Sequence, residues 1–183
     1  MITYIINHRR QAAFWTSISI TILFLASCGR ASTQHYSLAP NFSLVRVRSS
    51  QQISLSAFRG NWVVLVFWAQ WCGPCNKEQP SLTRLSMALR PFGIKFLGID
   101  DNDNRAAAAA FLNLYKVPYY NVYDPSGELL ALYNVPFIPY FVFISPKGYI
   151  VGRYAGAIGA KRMIGYLRKL GAIKNGVEIK YAY

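Results

Sequence analysis

An unbroken apolar segment, residues 62–68, runs almost directly into the motif Trp71-Cys72-Gly73-Pro74-Cys75. A continuous apolar run of this length is typical of a central strand that is buried on both faces. After the motif, apolar residues recur among polar ones from Cys75 to Leu89, and Pro91 and Gly93 end this helical pattern. The two cysteines therefore lie where a buried strand gives way to a helix, with their thiols within bonding reach of each other.

A Cys-x-x-Cys pair has two common uses, as half of a structural zinc site or as a redox-active dithiol. A zinc site needs further ligands, but the remaining cysteine and histidines are Cys28, His8 and His35, all near the N-terminus and none in a ligand pair. We therefore expect redox chemistry at Cys72 and Cys75, with no metal and no cofactor.

The N-terminus has the layout of an export signal. A positive segment, residues 8–10, precedes an uncharged and largely apolar stretch, residues 11–27, which is short for a membrane span. The stretch ends in Leu25-Ala26-Ser27-Cys28-Gly29, which resembles the lipobox of bacterial lipoproteins, where the cysteine is lipidated. We predict a signal peptide over residues 1–27, lipidation at Cys28 and a membrane-anchored extracytoplasmic domain. An uncleaved anchor and an ordinary secretory signal are the alternatives, and both also export the domain.

The chain is strongly basic, with 20 Lys and Arg against seven Asp and Glu and a net charge of +13. Near the C-terminus the positive charges are Lys161, Arg162, Arg168, Lys169, Lys174 and Lys180. Such a surface suits an acidic protein partner or anionic lipid, and an ordinary solvated helix face is the simpler explanation. Nucleic acid is not expected as a partner, because the domain is predicted to be exported and has no recognition motif.

The order of the remaining segments predicts the fold class of a single domain. A polar tether over residues 28–40 is followed by short strands within 42–47 and 53–55, a strand at 62–68, a helix at 75–89, a strand at 94–99, a helix at 105–114, a strand at 119–123, a short helix at 128–133, strands at 140–144 and 149–154, and a helix at 159–170. This order predicts an α/β fold with a central mixed β-sheet flanked by helices. We place the domain at residues 41–171 and a C-terminal tail at residues 172–183.

A run of carboxylates and amides, Asp100-Asp101-Asn102-Asp103-Asn104, follows the second central strand. It lacks the glycine and the terminal glutamate of an EF-hand loop. Capping of the next helix by an Asx side chain explains the run better than a cation site.

Three sequence blocks in the same order resemble those of the TlpA/ResA type of membrane-tethered thiol-disulfide oxidoreductases. The blocks are Leu55–Gly60, Val66–Pro80 and Ile138–Gly148, within a resemblance that spans roughly residues 41–170. The resemblance implies a thioredoxin-like fold with an extra N-terminal β-hairpin and a central βα insertion, and it implies thiol-disulfide oxidoreductase activity. Phe137 and Tyr140 depart from the family pattern of glycine and threonine, and both flank the expected partner groove.

Thiol-disulfide exchange needs a thiolate, which the start of a helix favours through its unpaired N–H groups and its dipole. We expect Cys72 to be the attacking thiol and Cys75, one turn inside, to be the buried resolving thiol. The Gly73-Pro74 dipeptide also occurs in thioredoxin, whose potential is near −270 mV, against about −120 mV for the oxidant DsbA. A reductase is therefore expected, and a disulfide-forming oxidase is the alternative.

The resemblance also assigns roles around the motif. It makes Glu78 the acid that exchanges a proton with Cys75, although a first-turn glutamate stabilised by the helix dipole is the alternative. It implies a cis bond before Pro139, with Ile138 offering backbone groups to an extended substrate strand. Read without the resemblance, Pro139 merely marks the entry to a strand.

The predicted substrate-binding residues are Trp71, Gly73, Pro74, Ile138 and Pro139, with Trp71 partly exposed and Trp68 packed in the core. The expected partners are disulfide-containing exported proteins, apocytochrome c during haem attachment among them, and a membrane or soluble dithiol that returns electrons. From a different class, a non-catalytic thioredoxin-fold binding or chaperone lipoprotein is the alternative. A copper chaperone would need a histidine, and none follows His35.

Overall fold

The computed structural model describes residues 36–101 and 103–180. The predicted signal peptide and Cys28 lie outside the described residues, as does most of the predicted tether. Within the described part of the chain, no helix is both long enough and apolar enough to cross a membrane.

Seven strands and four α-helices are found in the described residues. In chain order they are β1 (Ser43–Val45), β2 (Gln52–Ser54), β3 (Trp62–Trp68), α1 (Gly73–Leu89), β4 (Ile94–Asp101), α2 (Arg105–Leu114), β5 (Tyr120–Asp124), α3 (Glu128–Leu132), β6 (Tyr140–Ile144), β7 (Ile150–Ala155) and α4 (Ala160–Lys169). Short 3₁₀ turns cover Leu55–Phe58 and Arg90–Phe92. The bounds of β3, β6 and α2 are those predicted, and the ends of the other elements differ from the predictions by at most two residues.

The main sheet has five strands in the order β5-β4-β3-β6-β7. β3 and β5 both pair in parallel with β4, whereas β6 pairs antiparallel with both β3 and β7. β1 and β2 form a separate antiparallel two-stranded sheet. The predicted α/β architecture, with a mixed sheet, an N-terminal β-hairpin and a βα insertion formed by β5 and α3, is confirmed.

The central strand β3 is covered on both faces. Its even-numbered residues pack in the core cluster that includes α1 and α4, and its odd-numbered residues pack in the cluster that includes α3. All residues from Val63 to Trp68 are consequently buried. Because β3 is packed on both faces, its C-terminal end fixes the position of the cysteine loop that follows it.

Both ends of the described chain contact the domain. Leu38 forms a bridge with Tyr149, and the Ala39 N–H donates to the Gly148 carbonyl at 2.9 Å. At the other end Ile173 is buried, and Arg168 Nη2 donates to the Val177 carbonyl at 2.6 Å. Contacts with the domain therefore begin before residue 41 and continue past residue 171.

Candidate active site

Cys72 and Cys75 are joined by a disulfide, and their Cα atoms lie 5.2 Å apart. Cys72 is the N-cap residue of α1, and its Sγ accepts the N–H of Cys75 at 3.2 Å. Pro74 lies in the first turn of α1, where its missing N–H leaves no intrahelical hydrogen bond unmade. The prediction that the two thiols are within bonding reach at the start of a helix is confirmed.

The two cysteines are equally covered in this oxidised form, each 4% exposed. Exposure therefore does not distinguish the two sulfurs. They differ in position, because Cys72 lies at the helix N-terminus, where N–H groups and the helix dipole favour a thiolate, and Cys75 lies inside the helix. The Trp71 side chain is 55% exposed, and the neighbouring Gly73 and Pro74 are exposed as well. These three residues form an exposed surface next to Cys72 in the chain.

Glu78 is buried beside the disulfide-bearing turn, three residues after Cys75 and 6% exposed. Its Oε1 accepts the N–H groups of Ile158 and Gly159 at 2.8 and 2.6 Å, and its Oε2 is buried with no hydrogen-bond partner among residues 36–101 and 103–180. Burial raises the pKa of the Glu78 carboxyl above its ordinary value, and the hydrogen bonds from Gly159 and Ile158 offset the rise only in part. Glu78 is therefore a buried carboxyl with a raised pKa, and it lies beyond the first turn of α1, where the dipole-stabilised alternative would place it.

The Ile138–Pro139 peptide bond is cis, as predicted. It immediately precedes β6, whose first residue, Tyr140, pairs with Phe67 near the end of β3. The cis bond therefore lies near the cysteine loop. Of the two departures from the family pattern, Phe137 is 54% exposed, whereas the Tyr140 side chain is 8% exposed and packs in the core. Only Phe137 is thus available to a partner.

Trp68 packs in the core, as predicted, and is 2% exposed. Its indole stacks on Phe111 with ring centroids 4.6 Å apart, and its Nε1–H donates to Asn121 Oδ1 at 2.9 Å. The indole therefore ties the end of β3 to β5 and α2, next to the start of the cysteine loop.

The loop before Cys72 has a carboxylate support that the sequence did not reveal. Asp103 Oδ2 accepts the N–H of Gln70 at 2.7 Å, and Asn76 Nδ2 donates to the Gln70 carbonyl at 3.0 Å. The predicted Asx cap is confirmed at Asn104, whose Oδ1 accepts two N–H groups at the start of α2. The topology could have indicated the contact between Gln70 and Asp103. These residues follow the parallel strands β3 and β4, whose C-terminal ends lie at the same end of the sheet.

Asp100 lies at the end of β4 with no measurable exposure, and among the described residues no donor group bonds to either carboxyl oxygen. Burial, reinforced by the nearby carboxylates of Asp103, Asp101 and Asp124, raises the pKa of Asp100 to about 8. Asp100 is therefore largely protonated at neutral pH. Among the described residues, no group of His, Cys, Asp and Glu side chains has the arrangement of a metal site.

Comparison with known proteins connects this geometry with a family. Residues 37–153 match the model of the AhpC/TSA family. The thiol-disulfide oxidoreductase ResA of Bacillus thuringiensis subsp. konkukian (strain 97-27) is 29% identical over 132 residues, which is 72% of this chain and 76% of that protein.

Two solved structures share the fold. A thiol:disulfide interchange protein DsbE from Chlorobium tepidum superimposes with a TM-score of 0.67 at 26% identity, covering 75% of this chain and 96% of that one. A secreted Mycobacterium tuberculosis disulfide oxidoreductase homologous to E. coli DsbE gives a TM-score of 0.62 at 29% identity, covering 72% and 96%. All three relatives are named for thiol-disulfide chemistry.

Proposed function

The chain belongs to the AhpC/TSA family and is a ResA-like thiol-disulfide oxidoreductase of thioredoxin-like fold, and we propose that it reduces disulfides of extracytoplasmic proteins. One observation carries the proposal: Cys72 and Cys75 form a pair at the start of α1 with the buried Glu78 one turn further on. That arrangement supplies an attacking sulfur, a resolving sulfur and a proton carrier.

In the first step the Cys72 thiolate attacks one sulfur of the client disulfide. A bond forms between Cys72 Sγ and that sulfur while the client S–S bond breaks. The other client sulfur leaves as a thiolate and takes a proton from water. The helix N-terminus supports this step by stabilising the Cys72 thiolate.

In the second step Cys75 resolves the mixed disulfide. Its thiol loses a proton to the Glu78 carboxylate, and the resulting thiolate attacks Cys72 Sγ. The second client sulfur is released and takes up a proton, so the client gains two electrons and the Cys72–Cys75 disulfide forms. The raised pKa of Glu78 suits it to accept this proton at neutral pH.

We assign client binding to the surface around the motif. Trp71, Gly73 and Pro74 flank Cys72 in the chain and are exposed, and Ile138 and Pro139 lie at the entry to β6. An extended client segment pairing with the backbone at Ile138 would place its disulfide over Cys72.

Export and anchoring are part of the proposal and rest on the N-terminal sequence. Its basic start, its apolar stretch and Cys28 in a lipobox-like setting support a lipoprotein held on the extracytoplasmic face of a bacterial membrane. One of the structurally similar proteins is secreted. Clients would then be exported proteins, apocytochrome c among them, and a membrane or soluble dithiol would return electrons to Cys72 and Cys75.

The direction of transfer follows from the Gly73-Pro74 dipeptide, which thioredoxin shares. The test is reduction of insulin by the reduced protein, with Cys72→Ser and Cys75→Ser variants as matched controls. Wild-type protein should reduce insulin and Cys72→Ser should not. In cells, Cys75→Ser should accumulate mixed disulfides through Cys72. Absence of both insulin reduction and trapped clients would rule out the reductase and leave a non-catalytic binding protein.

A further inference from the structure

The carboxylates of this protein are mostly inside it. All seven Asp and Glu lie in the described part of the chain, and five of them are buried: Glu78, Asp100, Asp101, Asp103 and Asp124. The exposed ones are Glu128 and Glu178. All the Lys and Arg except Arg9, Arg10 and Arg30 lie in the same part. The surface of the described part is therefore more positive than its net charge alone indicates.

A cleft of about 570 Å³ lies between α1 and the start of α4. Its lining residues are Ser81, Ile158, Gly159, Ala160, Lys161 and Arg162. Both cations are exposed. Arg162 Nη1 donates to Tyr154 Oη at 2.6 Å, which holds the guanidinium at the edge of the cleft. The walls are thus largely apolar, and the charged groups are all positive.

The cleft adjoins the redox site through Glu78, whose Oε1 accepts the N–H groups of Ile158 and Gly159. Lys77, exposed on α1 two residues after Cys75, adds a further positive charge beside the site. The exposed carboxylates are on other elements, since Glu128 begins α3 on the opposite face of the sheet and Glu178 lies in the segment after α4. Nothing negative on the surface of α1 or α4 opposes these cations.

We infer that the redox site selects disulfides flanked by carboxylates, which bind in the cleft between α1 and α4 through Lys161 and Arg162. The inference rests on the proposed reductase function and adds the substrate class. A client segment that pairs near Ile138 and crosses Cys72 would continue towards α4. Acidic residues beside its cysteine would pair with Lys161 and Arg162. Its apolar residues would contact Trp71 and Phe137, which are both more than half exposed.

The test uses three short peptides, each closed by one disulfide and identical except that the residues flanking one cysteine are Glu, Gln or Lys. The second-order rate constant for reduction by the reduced full-length protein is measured at low and at physiological ionic strength. Reaction of the same peptides with dithiothreitol corrects for the effect of flanking charge on the disulfide itself. The test variant is Lys161→Ala/Arg162→Ala. The matched control is Lys116→Ala/Lys147→Ala, which removes two exposed cations at the end of the sheet opposite the cysteine loop.

At low ionic strength the Glu peptide should react about threefold to tenfold faster than the Gln peptide, and the Lys peptide should react more slowly than both. Salt should weaken the preference, Lys161→Ala/Arg162→Ala should remove it, and the control variant should keep it. Equal corrected rates for the Glu and Gln peptides, or a preference that survives Lys161→Ala/Arg162→Ala, overturns the inference while the reductase function stands.

A binding measurement separates the inference from the proposed function. Peptides with serine in place of cysteine are titrated against the oxidised protein with tryptophan fluorescence as the signal. Tighter binding of the Glu peptide, lost in Lys161→Ala/Arg162→Ala, supports the inference even if no peptide is reduced. If the protein binds the Glu peptide no more tightly than the others and phosphatidylglycerol vesicles bind through the same two cations, the cleft is a membrane contact and the inference is overturned.

Discussion

Replacing Asp100 with Asn should stabilise the protein, although Asp100 is among the most buried residues of the sheet. Its carboxyl has no measurable exposure, and no donor group in the part of the chain that the structure describes bonds to its oxygens. Burial and the carboxylates of Asp103, Asp101 and Asp124 disfavour its charged form and raise its pKa to about 8. Asn has nearly the same shape and cannot ionise, and its amide can donate a hydrogen bond to a neighbouring carboxylate.

The size of the effect follows from proton linkage. The folded pKa of Asp100 is about 8, against an ordinary value of about 3.9 in the unfolded chain. Because the folded pKa is raised, the contribution to stability is complete below about pH 4 and is lost as pH rises through about 8. At pH 7 the raised pKa of Asp100 lowers the unfolding free energy by about 4 kcal/mol, because each pH unit above the unfolded pKa costs about 1.4 kcal/mol. Asp100→Asn should therefore raise the unfolding free energy at pH 7 by about 1 to 4 kcal/mol.

Urea unfolding of the disulfide-bonded protein from acid to mildly alkaline pH measures this difference. The gap between Asp100→Asn and wild type should widen as pH rises from about 4 to about 8 and then level off. Glu128→Gln, which neutralises an exposed carboxylate, is the matched control and should change stability by less than about 1 kcal/mol at every pH. A gap that does not change with pH, or a destabilised Asp100→Asn, would refute the reasoning.

Three further substitutions test other parts of the structure. Glu78→Gln should slow decay of the mixed disulfide about 100-fold without changing the attack rate of Cys72. Quenched-flow trapping measures both rates, and equal slowing of both steps would exclude a role for Glu78 in resolution. Gly98→Ala should lower the unfolding free energy by about 2 kcal/mol or more, because a Cβ would lie 1.7 Å from Asn121 Oδ1 and 2.9 Å from Trp68 Nε1; an unchanged melting temperature would contradict this. Asn104→Ala should cost about 1 kcal/mol through the lost cap of α2, and no loss in urea unfolding would show that the cap is dispensable.

The elements near the site were predictable because their signals are local. The apolar run of β3, the proline in the first turn of α1 and the Asx cap at Asn104 each depend on residues close together in the chain. The redox site was predictable to the same extent, since both sulfurs lie within four residues.

The supports of the site were not predictable, because they join distant segments. Gln70 and Asp103 are 33 residues apart, and Glu78 and Gly159 are 81 residues apart. No local periodicity reports which carbonyl, amide or carboxylate will meet across the edge of a sheet. For the same reason no local pattern distinguishes Tyr140, which is buried, from Phe137, which is exposed.

The reduction potential of the Cys72–Cys75 pair tests the central claim most directly. The full chain is equilibrated with defined ratios of reduced and oxidised dithiothreitol, and alkylation of the peptide that contains both cysteines reports the reduced fraction. A reductase predicts one reversible two-electron transition close to the potential of thioredoxin, about −270 mV. A midpoint near the value of DsbA, about −120 mV, or the absence of any reversible transition would contradict it.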